Sequence, residues 1–180
     1  MSKLPEKYRF LDLSDYGRPL GHWIAYQLKS TIFTPIHVTT MFIIAGLISI
    51  AFMINGYYIT ASFFIILKSI LDAADGELSR LKNTPSYVGR YYDSIADFLL
   101  NFCFLLAFWY ITEISILYML FAFFAIQLQG TVYNFYYVIL RNSVQGDSTS
   151  RVVEDSAPKA LKGESQHMVN IFYKIYDVLY

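Results

Sequence analysis

The sequence is short of charge, of cysteine and of basic runs, and each shortage removes a class of protein. Only 16% of its 180 residues are charged while 56% are hydrophobic. Soluble domains carry nearer a quarter charged residues, so the composition points into a bilayer. Lys plus Arg and Asp plus Glu number 14 each, and without a long basic run nothing suggests a nucleic-acid partner. Cys103 is the only cysteine, which excludes an intrachain disulfide and a thiolate metal site. Within "NFCFLL" it reads as a packed, inert thiol. The first 20 residues carry charges throughout and lack the apolar core of a cleavable signal, so membrane targeting falls to internal helices. No solenoid-type repeat is present.

What the chain has in abundance is apolar sequence. A helix needs about 20 mainly apolar residues to cross a bilayer, and four stretches meet or approach that. Residues 38–54 end at the turn dipeptide Asn55-Gly56. Residues 57–71 are apolar apart from Lys68, residues 98–111 read "FLLNFCFLLAFWYI", and residues 114–140 are long and aromatic. The second and third reach full length only as helical continuations of an intervening aspartate-rich segment. The expectation is an all-α, polytopic membrane protein. It comprises a segment 1–33 with an amphipathic surface helix, a four-helix transmembrane core over 34–141, a polar connection over 142–165, and the start of a possible fifth helix over 166–180. The surface helix rests on Pro19 in a first turn and on Leu20, Trp23, Ile24, Gln27 and Leu28 at helical spacing. Lys3, Lys7, Arg9, Arg18, Lys29, Arg80, Lys82, Arg90 and Arg141 all fall on one side of these spans, and the opposite turns hold no Lys or Arg. By the positive-inside rule the N-terminus and the aspartates face the cytoplasm.

The segment "LDAADGELSRLKNTPSYVGRYYDSIAD" carries the chemistry. Residues three and four apart share a helix face, so Asp72, Asp75, Gly76 and Ser79 form one stripe, and Gly89, Asp93 and Asp97 form another. Pro85 lies in the connector that lets the two helices fold back and the stripes face each other. Four neighbouring carboxylates cannot all stay ionised without a compensating charge. An all-oxygen donor set favours magnesium or manganese over zinc, and two such ions can clamp a diphosphate. Gly76 and Gly89 allow a ligand close to the backbone, and Arg80 can donate to a phosphate bidentately.

This segment resembles the signature of the CDP-alcohol phosphatidyltransferases, D-x-x-D-G-x-x-A-R, eight residues, then G-x-x-x-D-x-x-x-D. Asp72, Asp75, Gly76, Arg80, Gly89, Asp93 and Asp97 match seven of its eight defining positions with the spacing intact, and Ser79 stands where the family has alanine. Upstream, Pro35 and Thr39 match the family's P-N-x-x-T element, with Ile36 at the asparagine position. The resemblance covers about residues 8 to 141. It implies a six-helix membrane enzyme, usually a homodimer, with a cytoplasm-facing site. That enzyme transfers a substituted phosphoryl group from a CDP-linked donor such as CDP-diacylglycerol to a polar alcohol, releasing CMP. Carried over by position, Asp72, Asp75 and Asp93 bind two Mg2+ or Mn2+ ions, and Asp97 binds metal and serves as base. Gly76, Ser79, Arg80 and Gly89 line the CDP site. Because the family has six helices and this sequence supplies four before "NIFYKIYDVLY", the chain is expected to be an incomplete version of its enzyme.

Outside the signature, Lys68 lies one turn before Asp72 and is expected to pair with it or to meet a donor phosphate. Arg141 is a candidate for an anionic acceptor. Gln127, Thr131 and Asn134 read as an interhelical hydrogen-bonding stripe, and His22, His37 and His167 as structural or surface residues. Three other readings stand beside the phosphatidyltransferase. A CDP-amino-alcohol:diacylglycerol phosphotransferase shares the motif. A magnesium-dependent prenyltransferase has a different aspartate spacing. A cation transporter would show internal repeats and a midplane site.

Overall fold

The computed structural model describes residues 4, 6–8, 16–144, 151 and 154–180. Among them, and after a short 3-10 turn at Glu6–Tyr8, run six α-helices: α1 Arg18–Leu28, α2 Pro35–Ile54, α3 Tyr58–Lys82, α4 Tyr87–Thr112, α5 Ile116–Ser143 and α6 Gln166–Leu179. There are no strands among the described residues. Part of the polar connection expected over 142–165 lies outside them.

Local chemistry sets the helix ends. Thr34 caps α2 through its hydroxyl, while His37 Nδ1 accepts from the Thr34 backbone N–H at 3.0 Å, so a histidine completes the reciprocal cap usually made by Glu or Gln. Pro35 follows at the first turn, where its missing N–H costs nothing. Asn83, with φ 52°, ends α3 in the left-handed conformation, Thr84 N–H returns to the Ser79 carbonyl at 3.0 Å, and Pro85 prevents continuation. Ser86 then caps α4 by accepting from Gly89 N–H at 2.8 Å. That bond explains Gly89 itself, because a Cβ there would lie 3.1 Å from Ser86 Oγ and 3.3 Å from Ser86 Cβ.

Helix α2 is the centre of the bundle, with α3 and α4 both packed against it. Phe42, Ala96 and Leu100 close the α2–α4 contact, Val38, Ala74 and Leu78 close the α2–α3 contact, and Met53, Ala61 and Ala107 close the far end. Helix α1 lies along α3, with Gly21 against Ala73 and Ala74 and with Trp23 and Tyr26 turned outward. Helices α5 and α6 both pack on α4.

Among the described residues three helices, α2, α4 and α5, are long and apolar enough to cross a membrane, rather than the four expected. The exception is α3. Its N-terminal half is apolar, but Lys68, Asp72, Asp75, Glu77, Arg80 and Lys82 crowd the rest, so it lacks an uninterrupted apolar length. On α5, large side chains such as Tyr118, Phe121, Phe124 and Leu128 face outward, an arrangement suited to lipid and costly in water.

Candidate active site

The two aspartate stripes meet in front of α2. One carboxylate oxygen from each of Asp72, Asp75 and Asp93 falls within 4.8 Å of the others, two from α3 and one from α4. Asp75 is the most enclosed, and its Oδ2 accepts from the buried Thr39 hydroxyl of α2 at 2.5 Å. The same hydroxyl lies 3.1 Å from the Pro35 carbonyl. Thr39, read from the sequence only as part of a helix-opening element, therefore fixes one of the clustered carboxylates. Three convergent carboxylates with no nitrogen or sulfur donor make a hard, all-oxygen set, and such a set fits magnesium or manganese.

Asp97 has a different environment from the other three. Its Oδ1 pairs with the Lys68 ammonium, which sits 5.0 Å from the centre of the buried Phe42 ring. Lys68 thus bonds to Asp97 on the facing helix, and Asp72 on its own helix is a second negative charge acting on the ammonium.

A cavity of about 1040 Å³ opens beside the cluster, lined by the start of α2, the end of α3, the start of α4 and residues 162–168. Asp75, Gly76, Ser79, Arg80, Gly89 and Asp93 all line it. Ser79, at the alanine position of the signature, donates from Oγ to the Thr84 carbonyl at 3.0 Å and ties down the turn that brings α4 back. Lys82 reaches the carbonyls of Thr31 and Phe33, each at 2.7 Å, and anchors the α1–α2 loop at the cavity rim.

Several residues at this site have no signature of their own in the sequence. Glu164 Oε1 accepts from Ser86 Oγ at 2.7 Å and Val88 N–H at 2.9 Å, so a carboxylate from the polar connection sits on the N-terminus of α4, where the helix dipole favours it. Glu154 binds Arg90 and accepts from Tyr91 OH at 2.9 Å. Glu77 is almost fully buried on α3 and bonds both His22 and Arg80. Tyr180 donates to the Ser94 carbonyl at 3.1 Å, and burial, then Asp97, holds its phenol well above the usual range and therefore protonated.

Arg141 is buried against Tyr137, 4.7 Å from the ring centre, and reaches Asn134 at 3.4 Å on its own helix. It is not among the residues that line the cavity. Asn134 thus bonds Arg141 within α5. His37 is a capping residue and His167 is exposed. No curated protein matches the chain. The family model for CDP-alcohol phosphatidyltransferase matches residues 32–159, from the loop before α2 through the described part of the polar connection, and the chain belongs to that family.

Proposed function

We propose that this chain transfers a phosphatidyl group from CDP-diacylglycerol, or a related CDP-linked lipid, to the hydroxyl of a polar alcohol, releasing CMP. Membership of the family carries the coarser reaction, movement of a substituted phosphoryl group from a CDP-alcohol in phospholipid synthesis, and sets aside the prenyltransferase and transporter readings. The observation that most supports a donor site here is the carboxylate trio at the edge of a cavity that Arg80 also lines.

In this reading Asp72, Asp75 and Asp93 hold divalent ions, and Asp97, one helical turn beyond Asp93 on α4, adds a fourth carboxylate. Bound there, the metal would neutralise the diphosphate and stabilise charge as the phosphoryl group moves. Arg80 donates to a donor phosphate, and Gly76, Ser79 and Gly89 leave room for the nucleotide. Asp97 accepts the proton of the acceptor hydroxyl. The hydroxyl oxygen bonds to the lipid-bearing phosphorus, the bond from that phosphorus to the bridging oxygen breaks, and CMP departs with the electron pair. Lys68, already bonded to Asp97, holds that carboxylate in place until the acceptor arrives.

The basic residues on one side of the spans support a site facing the cytoplasm, and the outward apolar face of α5 leaves room for the homodimer usual in the family. Incubating the chain in bilayers with labelled CDP-diacylglycerol and a panel of alcohols, among them inositol phosphate, glycerol phosphate and serine, tests the reading. A phospholipid with a new head group and equimolar CMP is expected. A lipid formed only from a CDP-amino-alcohol and diacylglycerol would reverse the donor and acceptor classes.

A further inference from the structure

Helix α1 and the aspartate helix α3 share a buried acidic residue that no signature position covers. Glu77 is 1% exposed, and both of its oxygens are used. Oε1 lies 2.8 Å from His22 Nδ1 on α1. Oε2 accepts from Arg80 Nε at 3.2 Å and from Nη2 at 2.5 Å. Burying a carboxylate is costly unless it is bonded, and its partners here include His22 of α1 and the arginine of the candidate donor site.

The geometry of Arg80 gives that bond a direction. Glu77 holds the Nε–Nη2 edge of the guanidinium, and Nη1 lies over Gly76, 3.6 Å from where a Cβ would stand. Gly76 and Arg80 line the cavity, whereas neither Glu77 nor His22 does. A guanidinium is planar and rigid, so fixing one edge fixes the plane of the other. Without Glu77, the long Arg80 side chain would have to give up rotamer freedom each time it met a phosphate. The His22 bond is kept in register by tight packing of α1 on α3. A Cβ on Gly21 would stand 2.9 Å from Ala73 Cβ and 3.0 Å from Ala74 N.

We infer that Glu77 is a positioning residue for the donor site, presetting the Arg80 guanidinium for the diphosphate of a CDP-linked substrate, and that His22 makes helix α1 part of that setting. The inference rests on the reading of the cavity as a CDP site. Affinity for CDP in the presence of Mg2+ is to be measured by calorimetry on the full chain in detergent. The set comprises the parent, Glu77→Gln, Arg80→Ala and the double variant, with melting temperature and the separate KM values of donor and acceptor recorded for each.

Glu77→Gln keeps the shape and loses the carboxylate charge, turning an ion pair into a weaker bond between the Arg80 cation and a neutral amide. CDP binding should weaken about tenfold, with donor KM rising and acceptor KM unchanged. Arg80→Ala should weaken it at least as much, and adding Glu77→Gln to Arg80→Ala should weaken it no further. Additive losses, or equal rises in both KM values, would show that Glu77 merely fastens α1 to α3 and would overturn the inference. Should Glu77→Gln fail to fold, the half-exposed His22 carries the test. His22→Ala should weaken CDP binding a few-fold and His22→Asn, which retains a donor near Nδ1, should restore it; unchanged binding in His22→Ala overturns the inference. If Arg80→Ala binds CDP normally while the parent releases CMP from CDP-diacylglycerol, the inference fails alone. If the parent neither binds CDP nor releases CMP, the reading of the cavity fails with it.

Discussion

Replacing Thr39 with valine removes one oxygen and keeps the side-chain shape. In the structure that oxygen donates to Asp75 Oδ2 at 2.5 Å, with both residues buried. A hydrogen bond to a charged group is worth about 1.5–3 kcal/mol, and each 1.4 kcal/mol is about a factor of ten. The loss falls on a carboxylate that must face a cation, so the expected effect is a roughly ten- to hundredfold rise in the Mg2+ concentration needed for half-maximal CMP release. That range agrees with what loss of a bond to a metal-ligating side chain costs in other metal sites. Turnover at saturating Mg2+ should change far less, because the three carboxylates remain. Thr39→Ser, which keeps the hydroxyl, should behave like the parent. The assay is a Mg2+ titration of CMP release at saturating donor for all three proteins. An unchanged Mg2+ requirement in Thr39→Val would refute the argument that Thr39 orients a metal-binding carboxylate.

Three further outcomes follow from named contacts. Asp97→Asn should lower turnover by about 10²–10⁴-fold, the range of general-base contributions, while leaving CDP affinity within a few-fold of the parent; near-normal turnover would remove Asp97 from the role of base. Gly21→Val drives a side chain into the Ala73–Ala74 backbone and should cost about 1–3 kcal/mol of stability, read as a lower melting temperature, whereas Gly130→Ala, with open space around it, should leave melting unchanged. Excess EDTA should abolish CMP release, and added Mg2+ or Mn2+ should restore it; full turnover in EDTA would contradict a carboxylate-held metal.

The parts of the molecule legible in the sequence are those governed by short spacing. The i to i+3 interval of Asp72 and Asp75 put those two on one face of α3, because a helix fixes that geometry locally, and the Pro85 connector let α4 bring Asp93 to them. Thr34 and Pro35 opened α2, and Asn83 to Ser86 made the return between α3 and α4, for the same local reasons. What could not be read depends on distant partners. His22 and Glu77 are 55 positions apart and Ser86 and Glu164 are 78, and a lone polar residue in a polar stretch carries no period to mark it. Lys68 shows the same limit, since its helix offered Asp72 while the fold delivered Asp97 from 29 positions away. The count of spans failed at α3, where an apolar run and a charged run are one continuous helix and composition had to be judged over its whole length.

Asp72, Asp75 and Asp93, brought together from two helices, are proposed as the metal-dependent donor site. Electron paramagnetic resonance of Mn2+ titrated into the purified chain, with and without CDP, tests it most directly. Saturable Mn2+ binding that CDP tightens is expected, lost in Asp72→Asn, Asp75→Asn and Asp93→Asn and retained in Asp155→Asn. Mn2+ binding that survives in all three variants, or that CDP leaves unaffected, would contradict it.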